Sequence, residues 1–152
     1  MQVQFVNPFL SSLMNVLSTM ADIQTKPGRP QLKHDCKSRG EVTGMIAMQG
    51  QQATGSLSIS FEQSAIFYIA KKMLKEDFNT MNCVIADLVG EITNMVSGGA
   101  KRVLGDSGYA FDMTQPSVIV GEEHTINHST HGHNIMVSFK TPEGNLYVEM
   151  CF

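Results

Sequence analysis

The chain has 152 residues, 42% of them apolar and 16% charged, a balance that suits a buried core and argues against disorder. A net charge of -3, a pI near 5.9 and no Lys/Arg cluster larger than a pair argue against nucleic acid or anionic lipid as a partner. No window approaches the ~18 apolar residues of a spanning helix. The opening segment up to Ala21 lacks charge, but it has no basic start and is broken by Gln, Asn, Ser and Thr, so it does not read as a signal peptide. Cys36, Cys83 and Cys151 form no CxxC and no complete disulfide set. They read as reduced thiols of a cytoplasmic protein.

In chain order, Val3–Phe5–Val6 reads as a short strand. Asn7-Pro8 reads as a helix start, with Asn as N-cap and Pro at the first helical position. Phe9, Leu10, Leu13, Met14, Val16, Leu17 and Met20 then give that helix an apolar face ending near Met20–Ala21. Lys26-Pro27-Gly28-Arg29-Pro30 is a turn. Leu32 to Phe61 reads as strand, with a hairpin turn at Gln49-Gly50-Gln51-Gln52. Its second arm is half-buried at period two, Leu57, Ile59 and Phe61 alternating with Ser56, Ser58 and Ser60.

Helical period returns over 62–74. The longest helix runs from about Asn82 to Leu104, with Gly105 and Gly108 ending it. Phe111 to Val120 is extended and His124 to His133 is a polar loop. Ile135, Val137 and Phe139 pair with Leu146, Val148 and Met150 in a second hairpin. This order predicts an α+β fold of two layers, a mainly antiparallel or mixed sheet with helices packed on one face. Each half has a helix followed by strands, which hints at a diverged duplication.

The longest helix carries the informative residues. Ile85, Leu88, Val89, Ile92, Val96 and Val103 fall on one side. Asp87, Glu91, Asn94, Gly98 and Lys101 fall on the other, within about ±40° of one line at 100° per residue. Asn is a mediocre helix former, yet Asn94 sits mid-helix. Gly98 on the same stripe costs roughly 0.5–1 kcal/mol against Ala, and its missing side chain suits close approach by another backbone. An acid and an amide three residues apart are, by themselves, a weak signal that reads first as an ordinary polar helix face.

The segment from Asp87 to Lys101, Asp-Leu-Val-Gly-Glu-Ile-Thr-Asn-Met-Val-Ser-Gly-Gly-Ala-Lys, resembles the active-site helix of the CheC/CheX/FliY group of chemotaxis phosphatases. Gln4-Phe5-Val6-Asn7-Pro8-Phe9, Gly108-Tyr109-Ala110-Phe111-Asp112, Gln115-Pro116-Ser117-Val118 and the closing strands resemble CheX members, so the likeness spans nearly the whole chain. It implies one pseudo-duplicated CheC-like phosphatase domain over 1–152. The implied activity is dephosphorylation of a CheY-like response regulator. Asn94 would position the attacking water, Glu91 would dock to the regulator's Lys, and Asp87, Gly98 and Lys101 would help bind the partner.

The likeness also implies Mg2+ on the regulator, none on this chain, and a homodimer joined through sheet edges. CheC-like chains carry two E-x-x-N helices. Here the first helix reads Ser12-Leu13-Met14-Asn15, with Ser in the Glu place, so the chain resembles a one-site, CheX-like member and Asn15 is expected to be structural.

Three other features have ordinary structural readings. His124, His128, His131 and His133 lack metal-ligand spacing and read as a polar loop. Lys71-Lys72 and Lys101-Arg102 read as solvated pairs, and the 11 methionines as adaptable packing. The rival to the enzyme is a non-catalytic regulator-binding or scaffold module using the same helix. Only the enzyme needs the Asn94 amide.

Overall fold

A computed structural model describes residues 3–128 and 132–152. The chain runs helix α1 (Val3–Ala21), strands β1 (Gln31–Leu32), β2 (Val42–Gly50) and β3 (Thr54–Phe61), helices α2 (Gln63–Leu74) and α3 (Cys83–Asp106), then β4 (Phe111–Met113), β5 (Ser117–Val120), β6 (Asn134–Thr141) and β7 (Gly144–Cys151). One sheet has the order β1-β6-β7-β3-β2-β4, with β5 also pairing β2. Its pairings are antiparallel, and the β2–β3 and β6–β7 hairpins meet at the central β3–β7 ladder. Leu57, Ile59, Phe61, Val148 and Met150 project from the sheet into one core with the apolar faces of the three helices. The expected α+β architecture is the one that forms.

The first turn differs from expectation. Val3–Val6 is not a strand, and Asn7-Pro8 does not start the helix. The helix begins at Val3 with Pro8 inside it. Phe5, Val6, Phe9, Leu10, Leu13 and Leu17 make a single buried helical stripe. The Phe5 ring lies 5.0, 5.9 and 5.1 Å from those of Tyr109, Phe111 and Phe152. Burying such a side chain is worth about 1.5–3 kcal/mol, and each ring pair adds about 0.5–1.5. Together these outweigh a proline cost of about 3 kcal/mol.

The second face of the sheet also departs from the pattern. Ser56, Ser58 and Ser60 do not meet water; they are buried. The segments 33–40 and 121–128 cross over them. Ser38 N donates to His124 O at 2.9 Å and Ile126 N donates to Cys36 O at 2.6 Å. The His124 ring hydrogen-bonds the Thr43 hydroxyl and the His128 ring that of Ser56. Residues 124–128 of the expected polar loop are therefore a cover over the sheet, tied down by its hydroxyls. His131 lies outside the described residues. Alternation of apolar and polar residues looks the same whether the polar row meets water or a polar lid, so the sequence pattern could not separate the two.

Candidate functional site

The site is built on α3. Asn82 caps its start by accepting from Ile85 N at 3.1 Å, a contribution of about 1 kcal/mol. Gly105 lies inside the helix rather than ending it; Ser107 is the cap and Gly108, at φ +92°, turns the chain away. Ile85, Leu88, Val89, Ile92, Val96, Ala100 and Leu104 form the buried stripe. Val103 is not part of it and is 49% exposed. A 3.6-residue helix drifts against its packing surface, and the buried line passes to Ala100 and Leu104 near the C-terminal end.

Close contacts fix the rotation of α3. Thr93 and Ser97 are buried polar residues, but their hydroxyls donate to Val89 O and Thr93 O, each at 2.7 Å, so neither is left unsatisfied. A Cβ at Gly44 on β2 would collide with the Thr93 hydroxyl, so only glycine lets helix and strand approach this closely. On the other flank, Ser12 of α1 fills the space that a Cβ at Gly99 would need, and its hydroxyl donates to Val96 O at 2.8 Å. With both flanks held, Asp87, Glu91, Asn94, Gly98 and Lys101 all face outward and are exposed. Among the described residues the Glu91 and Asn94 side chains make no hydrogen bond or ion pair.

Asp87, Glu91 and Asn94 share one wall of a shallow cleft of about 360 Å³, with Ala86 and Gly90. Gln115, Pro116 and Val118 form the other wall. Gly98 and Lys101 lie beyond the cleft on the same stripe. A Cβ at Gly98 would meet nothing within 4 Å. The opposite wall had no periodic signal in the sequence; it depends on the register that sets Val118 opposite Gly44.

The first helix holds its matching positions differently. Ser12 is buried in the α1–α3 contact, whereas Asn15 is exposed. The interhelical contact thus runs through Ser12, and Asn15 takes no part in the core. A Glu at position 12 would thrust a carboxylate into that contact.

Other polar clusters offer less. The His128 ring stands between Ser56 Oγ and Glu149 Oε1, the latter 3.6 Å from Nε2. The order resembles a Ser-His-acid relay, but Ser56 is 1% exposed and Glu149 fully buried, so no substrate reaches them. Among the described residues no three His, Cys, Asp or Glu side chains are grouped to hold a metal. A roomier cleft of about 590 Å³ at the end of α2 includes Lys71, Lys72 and Lys75. Lys71 pairs with Asp77 at 3.1 Å, and lysines in a last helical turn offset the helix dipole.

The fold has a CheC-like two-layer layout, and its long helix exposes an acid and an amide one turn apart. Residues 42–140, which hold α3 and both cleft walls, match the family described as Chemotaxis phosphatase CheX. The chain belongs to that family. A solved CheC-like superfamily protein from Shewanella sp. PV-4 is 50% identical with a TM-score of 0.93, covering 99% of this chain and 98% of that one. The CheY-P phosphatase CheX of Thermotoga maritima is 24% identical over 124 residues, 81% of this chain and 79% of that protein. A chain of the CheX-CheY-BeF3-Mg2+ complex from Borrelia burgdorferi has a TM-score of 0.82 at 24% identity, covering 99% and 98%, a likeness of fold. No helix among the described residues is long and apolar enough to cross a membrane.

Proposed function

We propose that residues 1–152 form one cytoplasmic phosphatase domain that hydrolyses the aspartyl phosphate of a CheY-like response regulator in chemotaxis signalling. The observation that carries this reading is the exposed pair Glu91 and Asn94, one turn apart in an open cleft and engaged by nothing among the described residues. The name of the Thermotoga relative, CheY-P phosphatase, supports the same substrate class.

The cleft holds two carboxylates, Asp87 and Glu91, and no cation. It would repel a bare phosphate at close range. The phosphoryl group must therefore arrive with its own positive charge, which the family resemblance assigns to a Mg2+ and a Lys on the regulator. The Borrelia complex contains CheX, CheY, BeF3 and Mg2+, the components this reading calls for. Glu91, an acceptor only, pairs with the regulator's Lys and orients the approach. The Asn94 amide offers an acceptor and two donors and carries no charge. It holds one water in line with the phosphorus. The water oxygen bonds to phosphorus, the bond to the Asp oxygen breaks, and inorganic phosphate and a free carboxylate leave. Such transfer needs mainly positioning and charge compensation, both within reach of two side chains on a rigid helix. Asp87, Gly98 and Lys101 extend the docking stripe.

A homodimer through sheet edges completes the reading. The edges are β1, with Leu32 55% exposed, at one end and β4 with β5 at the other. Unpaired edges are natural pairing surfaces, and light scattering on the purified protein reports the state.

The test is phosphate release from a phosphorylated CheY-type regulator. The intact protein is expected to accelerate release in Mg2+, and Glu91→Ala to lose binding and activity together. No acceleration with any regulator it binds would leave the rival, a binding module without hydrolysis.

A further inference from the structure

Gln115 carries the polar side chain of the cleft that the mechanism above leaves unused. It sits at the corner between β4 and β5, exposed, on the wall facing Asp87, Glu91 and Asn94. The corner is held rigidly. Thr114 N donates to Ala47 O at 3.0 Å, and Thr114 Oγ1 accepts from Ala47 N at 3.0 Å. On the other side Ser117 enters the β5–β2 ladder opposite Met45. Pro116 fixes the backbone dihedral between these anchors. β5 lies against α3 here: a Cβ at Gly90 would make ordinary contact with Val118 Cγ2 at 3.5 Å.

A long amide is thus presented from a backbone pinned on both sides, across the cleft from the proposed reacting pair. Among the described residues its side chain makes no hydrogen bond. Gln is neutral and both donates and accepts, so it suits the polar main chain and side chains that ring a regulator's phosphoryl site. Rigid presentation limits the entropy lost on contact.

We infer that Gln115 is a regulator-contacting residue whose amide hydrogen-bonds the docked partner and sets affinity rather than the rate of hydrolysis. The inference rests on the proposed function for the identity of the partner. It predicts a split between two residues of one cleft, Gln115 acting on binding and Asn94 on turnover.

The experiment uses the full chain and a CheY-type regulator loaded with beryllofluoride and Mg2+. Binding is measured by titration calorimetry, and hydrolysis separately with the phosphorylated regulator. Gln115→Ala is expected to weaken binding about tenfold, the size of one interfacial hydrogen bond, and raise KM alike. Its kcat is expected to stay within about twofold and its melting temperature unchanged, as for an exposed residue outside the core. Asn94→Ala is expected to do the reverse, keeping affinity and losing kcat. Unchanged affinity in Gln115→Ala, with Asn94→Ala inactive, overturns this inference alone. A tenfold loss of binding in a protein that never hydrolyses supports the Gln115 contact and removes the phosphatase reading. No binding by the intact protein to any activated regulator overturns both.

Discussion

The outer stripe of α3 and the polar layer beneath the sheet carry the same kinds of side chain under opposite conditions. On α3, Asp87, Glu91 and Asn94 stand in water beside an open cleft. Beneath the sheet, Glu149 is fully buried, with Lys33 Nζ at 2.8 Å, Asn134 Nδ2 at 2.9 Å and His128 Nε2 at 3.6 Å. Burial pushes the Glu149 carboxyl up, but His128, Lys33 and Asn134 together pull it down further, leaving it below the usual range. A carboxylate whose lone pairs are taken inside the fold has nothing to offer a visitor. One held on a rigid rod in solvent has its full capacity left. The same chemistry is structural in one place and available for recognition in the other.

Breaking the buried side should have the largest effect. Lys33→Met removes the lysine paired with buried Glu149, leaving only Asn134 and His128 beside it, and should cost about 3–5 kcal/mol in chemical denaturation. Replacing both, Lys33→Met with Glu149→Leu, should recover most of that loss. Neither change should alter affinity for a regulator beyond the loss of folded protein.

Acid sharpens the same contrast. The folded Glu149 value is depressed, so its contribution is complete above the unfolded pKa of about 4.3 and disappears as pH falls through the lower folded value. Asp35, held at about 2 first by the Arg39 guanidinium, has the same sign, though it is solvent-exposed and weaker in effect. These two contributions should be complete above about pH 5 and fade below about pH 4, as a melting-temperature series would read. In the Lys33→Met, Glu149→Leu protein the acid limb should be shallower.

Changes on the open side should spare the fold. Glu91→Ala should leave stability within about 0.5 kcal/mol while weakening the regulator complex. The smallest effect is at Gly98, where an added Cβ meets no neighbour. Gly98→Ala should raise stability by about 0.5–1 kcal/mol, with a loss of regulator affinity if a partner backbone comes close there.

The sequence carried the exposed side of this contrast well and the buried side poorly. Helical period alone put Asp87, Glu91 and Asn94 on one outward line, because their neighbours at 85, 88, 89 and 92 are all apolar. The β2–β3 and β6–β7 hairpins were legible from alternation. The cover over Ser56, Ser58 and Ser60 was not, because it joins residues far apart in the chain, such as Ser38 with His124 and Lys33 with Glu149. The far wall of the cleft was hidden for the same reason: Gln115 meets α3 only through strand pairing. Pro8 misled because a local start signal was outweighed by the packing of Phe5 against rings more than a hundred residues away.

The central claim is that the Asn94 amide holds the water that attacks the phosphoryl group. Its most direct test is single-turnover decay of a phosphorylated CheY-type regulator saturated with intact or Asn94→Ala protein. The account predicts that the variant still binds the beryllofluoride-loaded regulator and loses about 2–4 kcal/mol of barrier lowering, nearly all of its acceleration. Decay at the intact protein's rate in saturated Asn94→Ala complex would contradict it.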